Sequence, residues 1–227
     1  AIYTGWIRSE FSFVVDALSG ERLDIMQQCV RLQVDREDGR AEGTIDEGTT
    51  KDAFAVVMAE VSRDRNTPVM VKGDPASGKS TFARLFLIMC INQMQGAQLV
   101  PFMLTTIDLV RVMQQNHITG GDLIDAYLRA RYGANGQRYL FLKQAMLERR
   151  LILFLDGMDE VPTGLKKTVE AYIMTYLRMV ARVVMTTRPN GFTDVWLKQC
   201  ITMTILPLDD DQQRDVAKAR LPNHEHQ

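Results

Sequence analysis

The run Pro68-Val69-Met70-Val71-Lys72-Gly73-Asp74-Pro75-Ala76-Ser77-Gly78-Lys79-Ser80-Thr81 decides the fold. It opens on a short apolar stretch that reads as a strand and closes on the spacing GxxxxGKS. From Lys79 to Met94 the chain is apolar on nearly all sides (Phe82, Leu85, Phe86, Ile88 and Met89), which predicts a buried helix. A glycine-bounded loop between strand and helix is the setting in which this spacing cradles phosphate. Gly73 and Gly78 let the backbone curl with its N–H groups inward, and the helix start adds positive potential. Asp74, Pro75, Ala76 and Ser77 form the body of the loop. Lys79 is placed to reach β- and γ-phosphates, Ser80 to coordinate Mg²⁺, and Thr81 to bond an upstream phosphate. The bland alternative is a glycine turn beside a surface lysine.

Working outward, strand-like and helix-like segments alternate. Leu99 to Leu104, Leu151 to Leu155, Arg182 to Thr187 and Ile201 to Ile205 read as strands, with helical patterns between them and a polar-faced helix from Asp209 to Arg220. This alternation predicts an α/β fold with a parallel sheet. The unbroken apolar run Leu151-Ile152-Leu153-Phe154-Leu155 suits a strand covered on both faces. Before the loop, Ile7, Phe11, Val14, Val15 and Leu18 recur at helical spacing. The pattern breaks at Ser19-Gly20 and resumes with Leu23, Met26, Cys29 and Val30. Asp35 to Gly48 has almost no bulky apolar residues and reads as a solvated linker. Residues 1–50 are therefore expected as a helical segment plus linker. Residues 51–207 are expected as the α/β domain, and residues 208–227 as the start of a further helical domain.

Two more strand ends carry chemistry. Leu155 is followed by Asp156-Gly157-Met158-Asp159-Glu160. An acid at the C-terminal end of a parallel strand faces the crevice where such sheets bind ligands. Asp156 is the candidate for holding Mg²⁺ through water, and Asp159 and Glu160 for orienting or deprotonating an attacking water. An acidic turn without chemistry is the alternative. Val183-Val184-Met185 runs into Thr186-Thr187-Arg188-Pro189, so Arg188 either senses a γ-phosphate or pairs with a surface carboxylate. Spacing alone leaves both readings open.

Composition narrows the partners. Of 227 residues, 46% are hydrophobic and 24% charged, which suits a globular chain and excludes a disordered one. Lys and Arg number 27 against 28 Asp and Glu, so no chain-wide basic surface exists and nucleic acid is not indicated. Three scattered cysteines without a CxxC motif argue against a disulfide scaffold or zinc site and fit a reducing, cytoplasmic setting. No apolar run reaches the length of a membrane span. No signal-peptide pattern is present, and the missing initiator Met fits a fragment or a processed chain. His117, His224 and His226 have no metal-ligand company. Trp6, Phe11 and Phe13 are expected to pack a helix on the body rather than form a partner patch.

The three motifs together resemble the NACHT family, within the STAND class of P-loop NTPases. The resemblance rests on Gly73 to Thr81, on Leu151 to Glu160, and on Thr186-Thr187-Arg188-Pro189. In the acidic motif, Gly157 follows Asp156 where related AAA+ proteins place Glu, and the acids return at Asp159 and Glu160. The resemblance implies a five-stranded parallel sheet with the third motif's strand between the other two. It implies ATP, less often GTP, with Mg²⁺, slow hydrolysis, and a switch whose nucleotide state governs self-assembly into a signalling oligomer, with protein partners and self-association acting through domains outside this sequence. It places Lys79, Ser80 and Thr81 on phosphates and Mg²⁺, Asp156 on Mg²⁺, Asp159 and Glu160 in hydrolysis, and Arg188 on the γ-phosphate. Asp74-Pro75-Ala76 departs from the family in lacking an internal loop Gly. The helical and winged-helix domains that follow in family members are absent from this sequence. A static nucleotide-binding scaffold and a small-molecule or nucleotide kinase are the rival readings.

Overall fold

The computed structural model describes residues 2–15, 20, 22–29, 31–36, 52–64, 66–93, 99–116 and 123–220. The first elements are α1 (Ile2–Phe11), β1 (Phe13–Val15), β2 (Arg22–Asp24), α2 (Ile25–Gln28), β3 (Val34–Arg36) and α3 (Ala53–Arg63). Then come β4 (Val69–Lys72), α4 (Lys79–Gln93), β5 (Val100–Thr105), α5 (Thr106–Asn116), α6 (Leu123–Tyr132), α7 (Gln137–Leu147) and β6 (Leu151–Asp156). A 3₁₀ turn, Met158–Glu160, leads to α8 (Thr163–Tyr172), which passes through a π-helical turn (Ile173–Leu177) into α9 (Arg178–Val180). The chain continues as β7 (Ala181–Thr187), α10 (Asp194–Leu197), β8 (Ile201–Ile205) and α11 (Asp210–Arg220).

The main sheet has the order β3-β8-β4-β7-β6-β5. Its last five strands are mutually parallel, with β7 between β4 and β6. The expected five-stranded parallel sheet is therefore present, and a sixth strand widens it: β3 runs antiparallel on β8. β3 is short, and of its three residues only Val34 is buried. Such a sequence suits an edge strand, which gains from being short and charged. Arg36 fixes it to α3 through Glu60 at 2.7 Å, and Glu60 also holds Arg63 at 2.7 Å. Residues 35 and 36 thus belong to the sheet rather than to a linker, and residues 37–48 lie outside the described residues.

The N-terminal stretch departs from its helical expectation. The helix ends at Phe11, and Phe13–Val15 pairs with Arg22–Asp24 as an antiparallel hairpin. Adjacent β-branched Val14 and Val15 resist the helix and suit the strand. Helix resumes only at Ile25, where the Asp24 carboxylate caps the N–H groups of Met26 and Gln27. Trp6, Ile7 and Phe11 are buried, while Phe13 stands at the rim, 38% exposed.

This N-terminal cover answers a requirement set by α4. A helix that is apolar all round must be enclosed. The sheet lies beneath it, α1 and α2 pack on it, and Cys90 reaches Met58 of α3. Phe82 and Phe86 meet Phe54 and Phe154 at ring-centroid distances of 5.2–5.9 Å. Such truncations as Phe86→Ala cost about 3–5 kcal/mol in comparable cores. The wholly buried, parallel strands β6 and β7 bring their C-terminal ends to one edge. In register there, Lys72 faces Thr187 and Thr204, and Asp156 faces Thr105.

Candidate nucleotide site

At that edge lies a cavity of about 350 Å³, lined by residues 75–81 with Asp156, Gly157, Asp159, Glu160 and Arg188. All three motifs therefore meet at one place, and Lys79 and Asp156 face the same space. Gly73 sits behind the cavity, its N–H donating to the Thr187 carbonyl at 3.1 Å. Asp74 faces a neighbouring cleft instead.

The loop curls through two left-handed residues, Ala76 (φ 62°) and Gly78 (φ 87°). Gly78 carries this without strain, whereas Ala76 costs about 1–2 kcal/mol there. A non-glycine residue at this φ leaves backbone strain in the loop. The Lys79 ammonium donates to the carbonyls of Gly73 and Asp74 at 2.8 and 2.7 Å. Partial burial lowers its pKa, opposed by the charge of Asp159 and reinforced by that of Arg188.

The acidic motif is held from behind. The Thr186 hydroxyl accepts from Gly157 N–H at 2.9 Å and donates to Asp156 Oδ1 at 2.6 Å. Thr106, at the start of α5, donates to the Gly157 carbonyl and contacts the Asp156 carbonyl at 3.3 Å. Gly157 lies at φ 84°, and a Cβ there would stand 2.9 Å from Glu160 Cδ. The tight turn thus requires the glycine and brings Glu160 back to the cavity. Partial desolvation, then the charges of Asp156 and Asp159, raise the Glu160 pKa.

Arg188 pairs with a carboxylate, but that carboxylate belongs to the acidic motif. Its Nε lies 2.9 Å from Asp159 Oδ2, and its backbone N–H donates to Asp159 Oδ1 at 3.1 Å. The Arg188 side chain remains 57% exposed, whereas Asp159 is 13% exposed.

The donor set fits a triphosphate with Mg²⁺. Among the described residues no cluster of three or more His, Cys, Asp or Glu forms a closed metal cage. Mg²⁺ needs none, because one or two carboxylates, a hydroxyl and substrate phosphates serve it. Ser80 and Asp156, both lining the cavity, would offer that hydroxyl and carboxylate. The buried hydroxyls of Ser77 and Thr187, one in the loop and one at the β7 end, have no hydrogen-bond partner.

The sequence did not point to the adjoining cleft. It measures about 620 Å³ and shares residues 75–78 and Thr81 with the first cavity. Its other walls come from both ends of the chain: Cys29 and Leu32 on one side, Ile205, Leu206, Pro207, Leu208 and Val216 on the other. The Gln212 amide donates to the Arg31 carbonyl at 2.8 Å and ties the two ends together. Nothing local in the sequence pairs these segments.

Fold and loop together define a P-loop NTPase architecture. No protein-family model matches the chain, and no curated protein is significantly similar to it. Among solved structures it is similar to the Aeropyrum pernix Orc1 protein in complex with DNA, at 18% identity and TM-score 0.47, over 74% of this chain and 47% of that one. It is also similar to domain III of the Thermotoga maritima replication initiation protein DnaA, at 14% identity and TM-score 0.45, over 75% and 68%. A third is replication initiator DnaA bound to AMPPCP and single-stranded DNA, at 14% identity and TM-score 0.46, over 75% and 50%. The chain thus spans about half the length of the Orc1 chain. At such identities these likenesses say nothing of any residue's role. No helix among the described residues is long and apolar enough to cross a membrane.

Proposed function

We propose that this chain binds ATP with Mg²⁺, hydrolyses it slowly, and acts as a nucleotide-dependent switch of the NACHT type, with GTP the lesser substrate. The observation that carries the reading is the convergence of Lys79, Asp156, Asp159, Glu160 and Arg188 on one cavity beside the loop. Lys79 exchanges its two loop carbonyls for β- and γ-phosphate oxygens, and loop N–H groups hold the rest. Ser80 and Asp156 hold Mg²⁺, which when bound neutralises phosphate charge. Thr186 keeps the Asp156 carboxylate turned to that task. Glu160, its pKa raised above the ordinary glutamate value by partial desolvation and the neighbouring acids, accepts a proton from water more readily than an ordinary glutamate does.

The switch lies in Arg188. Asp159 and a γ-phosphate compete for the same guanidinium, so the loop answers to which one is present. The neighbouring cleft, with Leu32, Ile205, Leu206 and Leu208 on its walls, takes the base. Because Cys29 and Leu32 come from the N-terminal stretch and Val216 from α11, occupancy there couples both flanking segments to the nucleotide. Residues 51–207 act as the nucleotide-binding core, residues from 208 onward begin a helical module, and self-association and protein partners act through domains outside this sequence. A cytoplasmic setting suits this role.

Glu160→Gln tests the hydrolytic part. Single-turnover hydrolysis of radiolabelled ATP should slow by about 10²–10⁴-fold while ATP affinity changes little. An unchanged rate removes Glu160 from the reaction.

A further inference from the structure

Glu170 is a fully buried carboxylate in α8 that the reading above leaves unused. No cation pairs with it among the described residues. Both its oxygens are taken by one residue: Thr193 N–H donates to Oε1 at 2.9 Å, and the Thr193 hydroxyl donates to Oε2. Removing a carboxylate from water is costly, and two neutral donors offset only part of that. A side chain chosen for packing alone would be apolar.

Thr193 ends the loop that begins at Arg188 and stands at the N-terminal boundary of α10, where its side chain makes no capping hydrogen bond. Within the loop, Gly191 N–H donates to the Arg188 carbonyl at 2.9 Å. A Cβ on Gly191 would overlap the Thr187 hydroxyl and lie 2.7 Å from Asp159 Cβ, so the loop lies directly on the strand end and the acidic turn. Phe192 is buried in the core. The far end of the loop is then fastened to α8, the helix that follows the acidic turn. One side chain thereby links the segment after the second motif to the segment after the third.

We propose that Glu170 is a positioning residue: through Thr193 it sets the Arg188 loop against the acidic turn, and so fixes how Arg188 tells a nucleoside triphosphate from a diphosphate. This rests on the reading that Arg188 meets the γ-phosphate. The Arg188–Asp159 pair is a choice between two partners only while both stand at fixed distance. If the loop loses its anchor, the guanidinium reaches the phosphate at the expense of ordering the loop anew, and the triphosphate loses its advantage.

The test measures equilibrium binding of Mg²⁺ with mant-ATP and with mant-ADP to the full chain, for wild type, Arg188→Ala, Glu170→Ala, Glu170→Gln and Thr193→Val. Circular dichroism and gel filtration confirm folding. Arg188→Ala should reduce the triphosphate preference by about tenfold. Glu170→Ala and Thr193→Val should reproduce most of that loss, with mant-ADP affinity within about twofold of wild type. Glu170→Gln keeps an oxygen for the Thr193 N–H and an amide for its hydroxyl, and should retain the preference. A folded Glu170→Ala with wild-type preference overturns the proposal, as does equal loss of both affinities. If Glu170→Ala does not fold, Thr193→Val decides, because it removes one donor and preserves shape. If Arg188→Ala leaves the preference intact, the reading of Arg188 falls first and this inference with it. If only Arg188→Ala lowers it, the inference alone falls.

Discussion

Replacing Thr186 by Val removes one hydroxyl from the centre of the site and changes almost nothing in shape. Thr186 is fully buried. Its hydroxyl receives the Gly157 N–H at 2.9 Å and gives its own proton to Asp156 Oδ1 at 2.6 Å. In the variant, the Gly157 N–H is left unpaired, which costs about 1–3 kcal/mol. The carboxylate loses a charge-assisted bond valued at about 1.5–3 kcal/mol. Asp156 is 9% exposed and recovers part of the second loss by turning toward solvent. A total of about 2–4 kcal/mol follows, equivalent to a fall in Tm of roughly 4–16 °C for a chain of this length. The assay is urea unfolding followed by circular dichroism, with Thr186→Ser as control. Ser keeps the hydroxyl and loses one methyl, so it should cost only about 1 kcal/mol. If Val is no worse than Ser, the hydroxyl relay does not hold Asp156 and the account of the acidic motif fails.

Other expectations follow from the same contacts. The Glu160 pKa is raised above the ordinary glutamate value of 4.5, so its carboxylate burdens the folded state above the folded pKa. Glu160→Gln should accordingly unfold at higher urea than wild type at pH 7, with the difference shrinking as pH falls through the raised pKa and gone below about 4.5. A difference that grows toward acid would reverse the assigned direction. Gly157→Ala forces a left-handed alanine against Glu160 Cδ. It should cost about 1–2 kcal/mol in urea unfolding and slow hydrolysis more than it weakens binding. Loss of binding alone would show that the turn does not aim Glu160.

The parallel sheet was legible because its strands are buried on both faces. Leu151 to Leu155 and Val183 to Met185 are unbroken apolar runs, and a run of that kind has few other solutions. The loop was legible because phosphate recognition by backbone demands glycine at fixed spacing. β3 was not, since a three-residue edge strand with a single buried valine gives almost no pattern. The hairpin reads as helix from sequence because its apolar residues happen to fall at helical intervals, and only the adjacent valines speak for a strand. Within the site, each motif's residues were visible, but their supports were not. Thr106, Glu170 and Thr193 act across 23 to 51 residues of chain. Such contacts depend on how elements pack, and no local spacing announces them. Arg188 shows the limit clearly: the sequence offered a phosphate sensor or a carboxylate partner, and the structure supplies a carboxylate from inside the site.

The most direct test of the central claim is equilibrium titration of the full chain with mant-ATP in the presence of Mg²⁺, comparing wild type with Lys79→Ala. Saturable binding by wild type, weakened at least about tenfold by the variant and lost when Mg²⁺ is chelated, is the expected result. Equal binding by both proteins would contradict the claim that the Lys79 ammonium, the curled loop and Asp156 together enclose a nucleotide.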